Sequence, residues 1–153
     1  MFKRMVSAFL SMAALIGTGC SQQSTDNSAQ PLVFETVLQS QQSAITTARQ
    51  VTVRDASAWT SLWHEHTTND SPAPPAPVVD FTKKLVLGVF LGQRPNFCYN
   101  VAVESVEMVG KQKIAVKYRE MKSSGSCLQA VANPVHCVTV DRQNLPVEFI
   151  ELK

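Results

Sequence analysis

Two histidines flanking a glutamate, His64, Glu65 and His66, form the first group in the chain that could bind a metal ion or take part in hydrolysis. A zinc-dependent hydrolase of this type needs its two histidines one helical turn apart, with the glutamate between them. Residues two positions apart on a helix point about 200° away from each other, so these imidazoles cannot bind the same ion. We interpret them as polar residues at a helix end, where histidine interacts favourably with the helix dipole.

A loop of small residues from Ser124 to Cys127, followed by His136, is the nearest approach to a nucleophile with a base. The pattern GxSxG, which places a catalytic serine on a sharp turn, is absent from the chain. Paired carboxylates, a phosphate-binding glycine loop and a dinucleotide-binding fingerprint are absent as well. We therefore predict that the protein is not an enzyme and has no catalytic residue and no cofactor. A hydrolase site in this loop is the alternative.

Three cysteines, Cys98, Cys127 and Cys137, follow the N-terminal segment, and an exported protein meets an oxidising compartment in which two of them would pair. Three pairings are open. Cys98 and Cys127 both lie in turn-like sequence, whereas Cys137 lies inside the strand-like run VHCVTV. We favour a disulfide between Cys98 and Cys127, with Cys137 as a small buried apolar residue.

The same cysteines could instead form a zinc or copper(I) site together with His136, because thiolates and imidazole suit both ions. No CxxC or HxxxH spacing supports such a site. His136 and Cys137 are neighbours on a predicted strand, so their side chains point to opposite faces of the sheet and cannot easily reach one ion. We predict no metal site.

The first residues of the chain predict export. Lys3 and Arg4 are followed by an uncharged, mostly apolar run from Met5 to Gly19, which is typical of a signal peptide. This run is too short and too interrupted to span a bilayer, which takes about 20 apolar residues. Because Lys3 and Arg4 account for the formal charge of +2, the rest of the chain is neutral, and we predict no nucleic-acid partner.

The stretch LIGTGC, from Leu15 to Cys20, resembles a bacterial lipobox, in which the cysteine is lipidated and becomes the mature N-terminus. The resemblance implies a palmitoylated anchor on Cys20. Ordinary cleavage near Gly19, leaving a thiol at Cys20, is the alternative. Ser21 stands where an aspartate often retains lipoproteins in the inner membrane, so the resemblance implies the outer membrane, with the protein facing the periplasm or the cell surface.

The chain divides into three parts on this interpretation. Residues 1–20 are a lipoprotein signal peptide that ends at Cys20. Residues 21–31 contain no large apolar side chain and are predicted to be a flexible tether. Residues 32–153 are predicted to form a single globular domain, which is large enough to bury a core.

Within this domain the clearest pattern predicts a helix over Ala56 to His66, with Asp55 as its N-cap. Trp59, Leu62 and Trp63 are spaced so that they share one face of that helix. Strands are predicted by alternating apolar residues over Phe34–Gln39, Gln50–Arg54, Lys84–Leu91, Cys98–Met108, Lys111–Glu120, Val135–Val140 and Val147–Leu152. Val109, Gly110 and Lys111 are predicted to form a tight hairpin link between two of these strands. The fold class is predicted to be α+β, a small antiparallel sheet with one main helix packed on it.

From Phe34 to Lys153 the chain resembles the PrcB-type domain, named for a lipoprotein subunit of a bacterial cell-surface protease complex. The resemblance rests on three segments: DASAWTSLWHEH, VVDFTKKLVLGVFLGQRPNFCYNVAV and NPVHCVTVDR. Family members commonly have Gly-Gly-Tyr where this chain has Phe97, Cys98 and Tyr99. That departure fits a local disulfide in place of glycine flexibility.

The resemblance implies a non-catalytic accessory lipoprotein that helps an exported protein partner, such as a protease, to assemble or stay stable. Its loop residues suggest a candidate interaction surface of Asp80, Gln93, Arg94, Phe97 and Tyr99. A structural role, in which Asp80 caps a turn or pairs with Arg94, is the alternative for those two residues. The alternative function is a binding protein for a small ligand or a peptide strand, with a pocket lined by Tyr99, Phe97 or Arg94.

Overall fold

The structure, a computed structural model, describes residues 28–153. The predicted signal peptide, the lipidation of Cys20 and residues 21–27 of the predicted tether lie outside the described residues. The described chain contains the strands β1 (Ala29–Pro31), β2 (Phe34–Ser40), β3 (Arg49–Val53), β4 (Lys84–Phe90), β5 (Tyr99–Val109), β6 (Lys113–Lys122), β7 (Val135–Asp141) and β8 (Val147–Leu152), and the helix α1 (Ala56–His66). No helix within residues 28–153 is both long and apolar enough to cross a membrane.

The strands form two four-stranded sheets, which corrects the prediction of one small antiparallel sheet. The outer sheet has the order β1-β5-β6-β8, and the central sheet has the order β2-β7-β4-β3. All neighbours pair antiparallel except β6 and β8, which are parallel. The apolar alternation predicts which residues are buried, but the number of sheets depends on which strands pair over long sequence distances, and the pattern carries no such information.

The central sheet is covered on both faces. Leu85, Leu87 and Val89 of β4 face the outer sheet, where they pack against Val101 and Val116. Alternate residues of the same sheet face α1. A strand buried on both faces needs apolar side chains at every position, which is why β4 reads KLVLGVF without alternation. The outer sheet has one face in this core, where Ile114, Val116 and Tyr118 of β6 are buried as predicted.

Helix α1 packs on the central sheet, as the apolar spacing of Trp59 and Leu62 predicts. Its N-cap is Asp55, whose side chain accepts a hydrogen bond from Ala58 N at 2.8 Å, which confirms the predicted start of the helix. The proline-rich segment 71–77 then runs back along the helix. The indole N–H groups of Trp59 and Trp63 hold it by donating to the carbonyls of Pro77 at 2.9 Å and Pro74 at 2.8 Å.

Residues Ala29–Pro31 differ from the prediction of a tether, because they form the short strand β1 beside Glu107–Val109. This pairing uses backbone groups alone, so a segment without apolar side chains can join a sheet edge. The predicted hairpin at Gly110 and Lys111 is confirmed: both residues have positive φ, 55° and 54°. Two successive positive φ values are typical of the tight turns that match the twist of paired strands.

The two ends of the sandwich carry different segments. The entry end, where the described chain starts, contains Ser28, Gly110 and the turns at residues 80–83 and 142–146; Gly110 N donates to Ser28 O at 3.1 Å. The distal end, at the other end of the strands, contains the loops 41–48, 91–98 and 123–134. Strand β5 connects the two ends over 11 residues, a length of about 36 Å.

Candidate functional site

The distal end collects most of the residues that the sequence singled out. Cys98 and Cys127 lie at disulfide-bonding distance there, with their Cα atoms 5.3 Å apart, as predicted. The bond joins the start of β5 to the loop 123–134 across 29 residues of sequence. Loop segments that would otherwise move independently are therefore tied together at this end.

Arg94 reinforces the same end through an ion pair with Glu120. Its Nε and Nη2 donate to the two carboxylate oxygens at 3.0 and 2.7 Å, and Nη1 donates to Leu91 O at 2.9 Å. The hydrogen bonds to Glu120 raise the pKa of the Arg94 guanidinium. Its backbone also pairs with Ala132 in both directions, at 2.7 and 3.0 Å. Arg94 therefore joins three segments of the distal end, and its guanidinium is already partnered within the chain.

Phe97 and Tyr99 are half-buried at the distal end, and their backbone is held by a residue that the sequence did not indicate. Gln41 donates from Nε2 to both Phe97 O at 2.8 Å and Tyr99 O at 2.6 Å. The Lys122 ammonium lies 5.1 Å from the centre of the Tyr99 ring, a cation–π contact. Glutamine in a polar loop carries no sequence signal for such a role, because the contact joins residues 56 to 58 positions apart.

Asp80 lies apart from the other predicted surface residues. It belongs to the entry end, just before β4, whereas Gln93 and Arg94 follow the far end of that seven-residue strand, about 23 Å away. Its carboxylate accepts hydrogen bonds from Thr82 N at 3.0 Å and Thr82 Oγ1 at 2.5 Å, which lower the pKa of Asp80. Asp80 thus caps its own turn, and it does not pair with Arg94.

Two apolar side chains stand out into solvent from the loop 123–134. Leu128 is 65% exposed and Val131 is 54% exposed, while exposed Met121 ends the neighbouring strand β6. The backbone beneath them is fixed, since Phe97 N donates to Leu128 O at 3.1 Å and Cys127 is bridged. Gln93 is exposed on the facing loop. The distal end therefore presents apolar side chains with a polar surround on an ordered backbone.

His136 and Cys137 point to opposite faces of the central sheet, as the strand geometry predicts. His136 Nδ1 accepts from Val103 N of the outer sheet at 2.8 Å, and its Nε2 lies 2.8 Å from Thr36 Oγ1. Cys137 packs under α1, and burial raises the pKa of its thiol to about 12. Across residues 28–153, no group of three or more His, Cys, Asp or Glu side chains is placed to hold a metal ion.

Three concavities of the described chain can be compared with the pocket predicted around the aromatic residues. Those concavities involve neither Arg94, Phe97 nor Tyr99. The distal end can therefore offer a partner apolar side chains that project from loops with a fixed backbone.

Comparison of the chain with family models, with curated proteins and with solved structures finds no match. The resemblance to the PrcB-type domain therefore stays a prediction, and a function has to be argued from the residues of this chain.

Proposed function

We propose that the protein is a non-catalytic lipoprotein of the cell envelope that acts as an accessory or stabilising module for an exported protein partner, such as a protease. The partner docks on the distal end, with Leu128 and Val131 at the centre of the contact. The observation that carries this proposal is the exposure of both apolar side chains on a loop whose backbone is held by the Cys98–Cys127 bridge.

Order in this loop favours binding. Association costs the conformational entropy of every loop and side chain that becomes ordered in the complex. A loop that is already fixed therefore loses less conformational entropy on binding. The bridge, the Arg94–Glu120 ion pair and the Gln41 hydrogen bonds fix the loop backbone before any partner arrives. Burial of the apolar side chains against a partner can then favour binding with little reorganisation of the loop.

The surroundings of Leu128 and Val131 match the usual anatomy of a protein interface. Protein interfaces have an apolar centre from which charged side chains are depleted, and a polar rim. At the distal end the nearby Arg94 is neutralised by Glu120, and exposed Gln93 and Lys122 supply polar surroundings. A partner surface with an apolar centre fits this arrangement.

The position of the distal end suits a protein held at a membrane by its N-terminus. Residue 28 lies at the entry end, and the distal end is about one strand length, 36 Å, away from it. With a lipid on Cys20, the entry end would lie nearer the bilayer and the distal end would project toward proteins of the envelope. The outer membrane, with the protein facing the periplasm or the cell surface, is the proposed location.

The docking role is tested by crosslinking in intact cells. A C-terminally tagged copy is crosslinked, purified from the envelope and compared with a Leu128→Ser, Val131→Ser double variant. The matched control is Val33→Ser with Val78→Ser, which removes two exposed valines, 86% and 100% exposed, away from the distal end. We expect a stoichiometric protein partner whose yield falls about tenfold in the distal variant, as loss of interface anchors predicts, and stays unchanged in the control.

Two results would contradict this proposal. If both double variants recover the same partner in equal yield, the contact does not involve the distal end. If only the protein itself is recovered, the accessory role has no support. Anchoring is tested separately by the intact mass of membrane-extracted protein, where absence of the added acyl mass on the N-terminal cysteine would contradict lipidation of Cys20.

A further inference from the structure

One face of α1 carries two indole rings followed by an imidazole. The ring centres of Trp59 and Trp63 lie 5.7 Å apart, and those of Trp63 and His66 lie 5.3 Å apart. Because Trp59 and Trp63 are four positions apart, the helix places both indoles on the same side. Trp59 and His66 are buried, whereas Trp63 is only half-buried. The row of rings therefore reaches the surface at Trp63.

The proline-rich segment 71–77 lies across these two indoles and runs antiparallel to the helix. Trp63 Nε1 donates to Pro74 O at 2.8 Å, and Trp59 Nε1 donates to Pro77 O at 2.9 Å. Pro74 and Pro77 are three residues apart, which is one turn of the polyproline II helix that proline-rich sequences favour. One turn of each helix therefore brings two donors to face two acceptors.

Few other contacts hold this segment in place. Within the described chain its hydrogen bonds are the two from the indoles, and its backbone forms none with other backbone groups. Residues 71–75 are exposed, and only Ala76 and Pro77 are half-buried. Segments with few buried contacts open at a lower free energy than strands in a core. We therefore expect segment 71–77 to leave the indoles more readily than the sheets unfold.

The chemistry of this contact is that of proline-rich peptide recognition. An indole N–H is only a donor, and a proline residue offers a backbone carbonyl but no N–H, so the two groups are complementary. Aromatic grooves bind extended proline-rich segments because such segments are close to their bound conformation before binding and lose little entropy. The contact inside this chain thus shows which class of polypeptide the two indoles can hold: an extended one with prolines three residues apart.

We propose that the face of α1 formed by Trp59 and Trp63 binds a proline-rich segment of another polypeptide, and that segment 71–77 occupies this site until the other polypeptide replaces it. The incoming segment accepts the two indole hydrogen bonds, and segment 71–77 moves away as a loop. The pairing of the central sheet is kept, because β4 begins only at Lys84. This inference is independent of the docking role proposed above, because it rests on different side chains.

The test is an NMR titration of the isotopically labelled full chain with the end-blocked peptide SPAPPAPVV, which repeats residues 71–79. Release of the chain's own segment is measured from the amide signals of Ala73 and Ala76. Contact with the peptide is measured from NOEs between its unlabelled protons and the indoles of the two tryptophans. The matched control peptide has alanine in place of every proline. A tethered segment competes at an effective concentration in the millimolar range, so we expect half-saturation at about 1 mM with the first peptide and no binding of the control.

Three variants separate the site from its competitor. Pro74→Ser with Pro75→Ser changes two exposed residues of the chain's own segment and removes their fixed φ, so we expect the peptide to bind about tenfold more tightly than to the parent protein. Trp63→Phe keeps an aromatic ring but removes a donor, and we expect binding about tenfold weaker. His64→Gln, an exposed change on the same helix, is expected to leave binding unchanged.

Hydrogen exchange of the Trp63 indole N–H in the parent protein gives a second measurement that needs no variant. If segment 71–77 opens locally, this proton exchanges much faster than the backbone amides of β4. Equal exchange rates would overturn the proposal, as would equal binding of the two peptides. The proposal would also be wrong if the serine double variant bound the proline peptide no more tightly than the parent protein.

Discussion

The two ends of the sandwich both expose apolar side chains, yet they are held together by different means. At the distal end, Leu128 and Val131 project from a loop tied by a disulfide and by a two-point ion pair between Arg94 and Glu120. At the entry end, Val33 and Val78 are even more exposed. Exposure therefore does not distinguish the two ends, since single exposed apolar residues are common on protein surfaces.

At the entry end two arginines bind backbone carbonyls. Arg54 donates to the carbonyls of Gln143 at 2.8 Å and Leu145 at 2.7 Å, and Arg142 donates to those of Arg54 and Phe81. These contacts join turns and strand ends at the entry end. The distal end has a covalent bond in addition to its hydrogen bonds, and this difference supports the distal end as the proposed docking end.

The largest expected effect concerns the disulfide. Replacing Cys98 and Cys127 together by serine should lower the free energy of unfolding by about 3–4 kcal/mol, because a closed loop of this length restricts the unfolded chain. Urea unfolding of the oxidised protein and the double variant measures this difference. The control at the entry end is Asp80→Ala, which changes an exposed turn and should lower the free energy of unfolding much less. An equal loss of unfolding free energy in the two variants would contradict a stronger stabilisation of the distal end.

A smaller effect is expected at Gly92 in the distal end. Its φ is +70°, and an added Cβ would lie 2.6 Å from Ala48 N and 2.8 Å from Thr46 O, both backbone atoms. Gly92→Ala should therefore lower the free energy of unfolding by about 2–3 kcal/mol. Gly125→Ala is the matched control, because a Cβ there meets no atom within 4 Å. A melting temperature unchanged in both variants would show that loop 91–98 is not packed as described.

The ion pair of the distal end should contribute less than either of these features. Arg94→Gln leaves half-buried Glu120 without its two donors. The variant should lower the free energy of unfolding, measured in urea, by about 1–2 kcal/mol. Arg119→Gln breaks the more exposed pair with Glu104 on the outer sheet and should lower the free energy of unfolding by less than Arg94→Gln does. Weaker partner capture by the Arg94 variant would support docking at the distal end, whereas an equal loss of stability in both variants would contradict the special role of the Arg94 pair.

The smallest expected effect is a dependence on pH that arises from the two buried histidines. Burial lowers the pKa of both His136 and His66 below the ordinary 6.5. The unfolded chain then binds protons more readily, so stability is complete above pH 6.5 and declines as the pH falls below it. The size of this loss follows from how far burial lowers each pKa. Protonation of His136 would also remove its hydrogen bond from Val103 N.

Urea unfolding at pH 7.5 and 5.5 measures this dependence. The variant His136→Gln should show a smaller decline than the parent protein, with the His66 contribution retained. His64→Gln, an exposed change on the same helix as His66, serves as the control. A parent protein whose stability increases on acidification would contradict the stated direction of both pKa shifts.

Local features of this protein were predictable from the sequence because they depend on neighbouring residues. The helix Ala56–His66, its Asp55 cap and the hairpin at Gly110 follow from spacing and backbone preferences within a few positions. The turn-like sequence around Cys98 and Cys127 favoured their pairing among three open possibilities, and the structure places these two cysteines at disulfide-bonding distance. The lipobox and the predicted anchor at Cys20 are local motifs as well, and they await their own test.

The second sheet, the parallel pairing of β6 with β8 and the pairing of β1 were not predicted. Each depends on which backbones meet across dozens of residues, and side-chain alternation does not encode that choice. Two of the residues that fix the distal end, Gln41 and Glu120, escaped prediction for the same reason. Both are ordinary polar residues in sequence, and only their distant partners make them structural.

Residue type and short-range geometry account for the apolar segments, for the start of the helix after Asp55 and for the preference for a bridge between Cys98 and Cys127. Tertiary structure alone decided that Asp80 and Arg94 lie at opposite ends and that Leu128 and Val131 project from a bridged loop. It also brought Ser43, His66 and Asn133 around one pocket. Such groupings arise from packing two sheets and a helix, which places residues far apart in sequence within hydrogen-bonding distance.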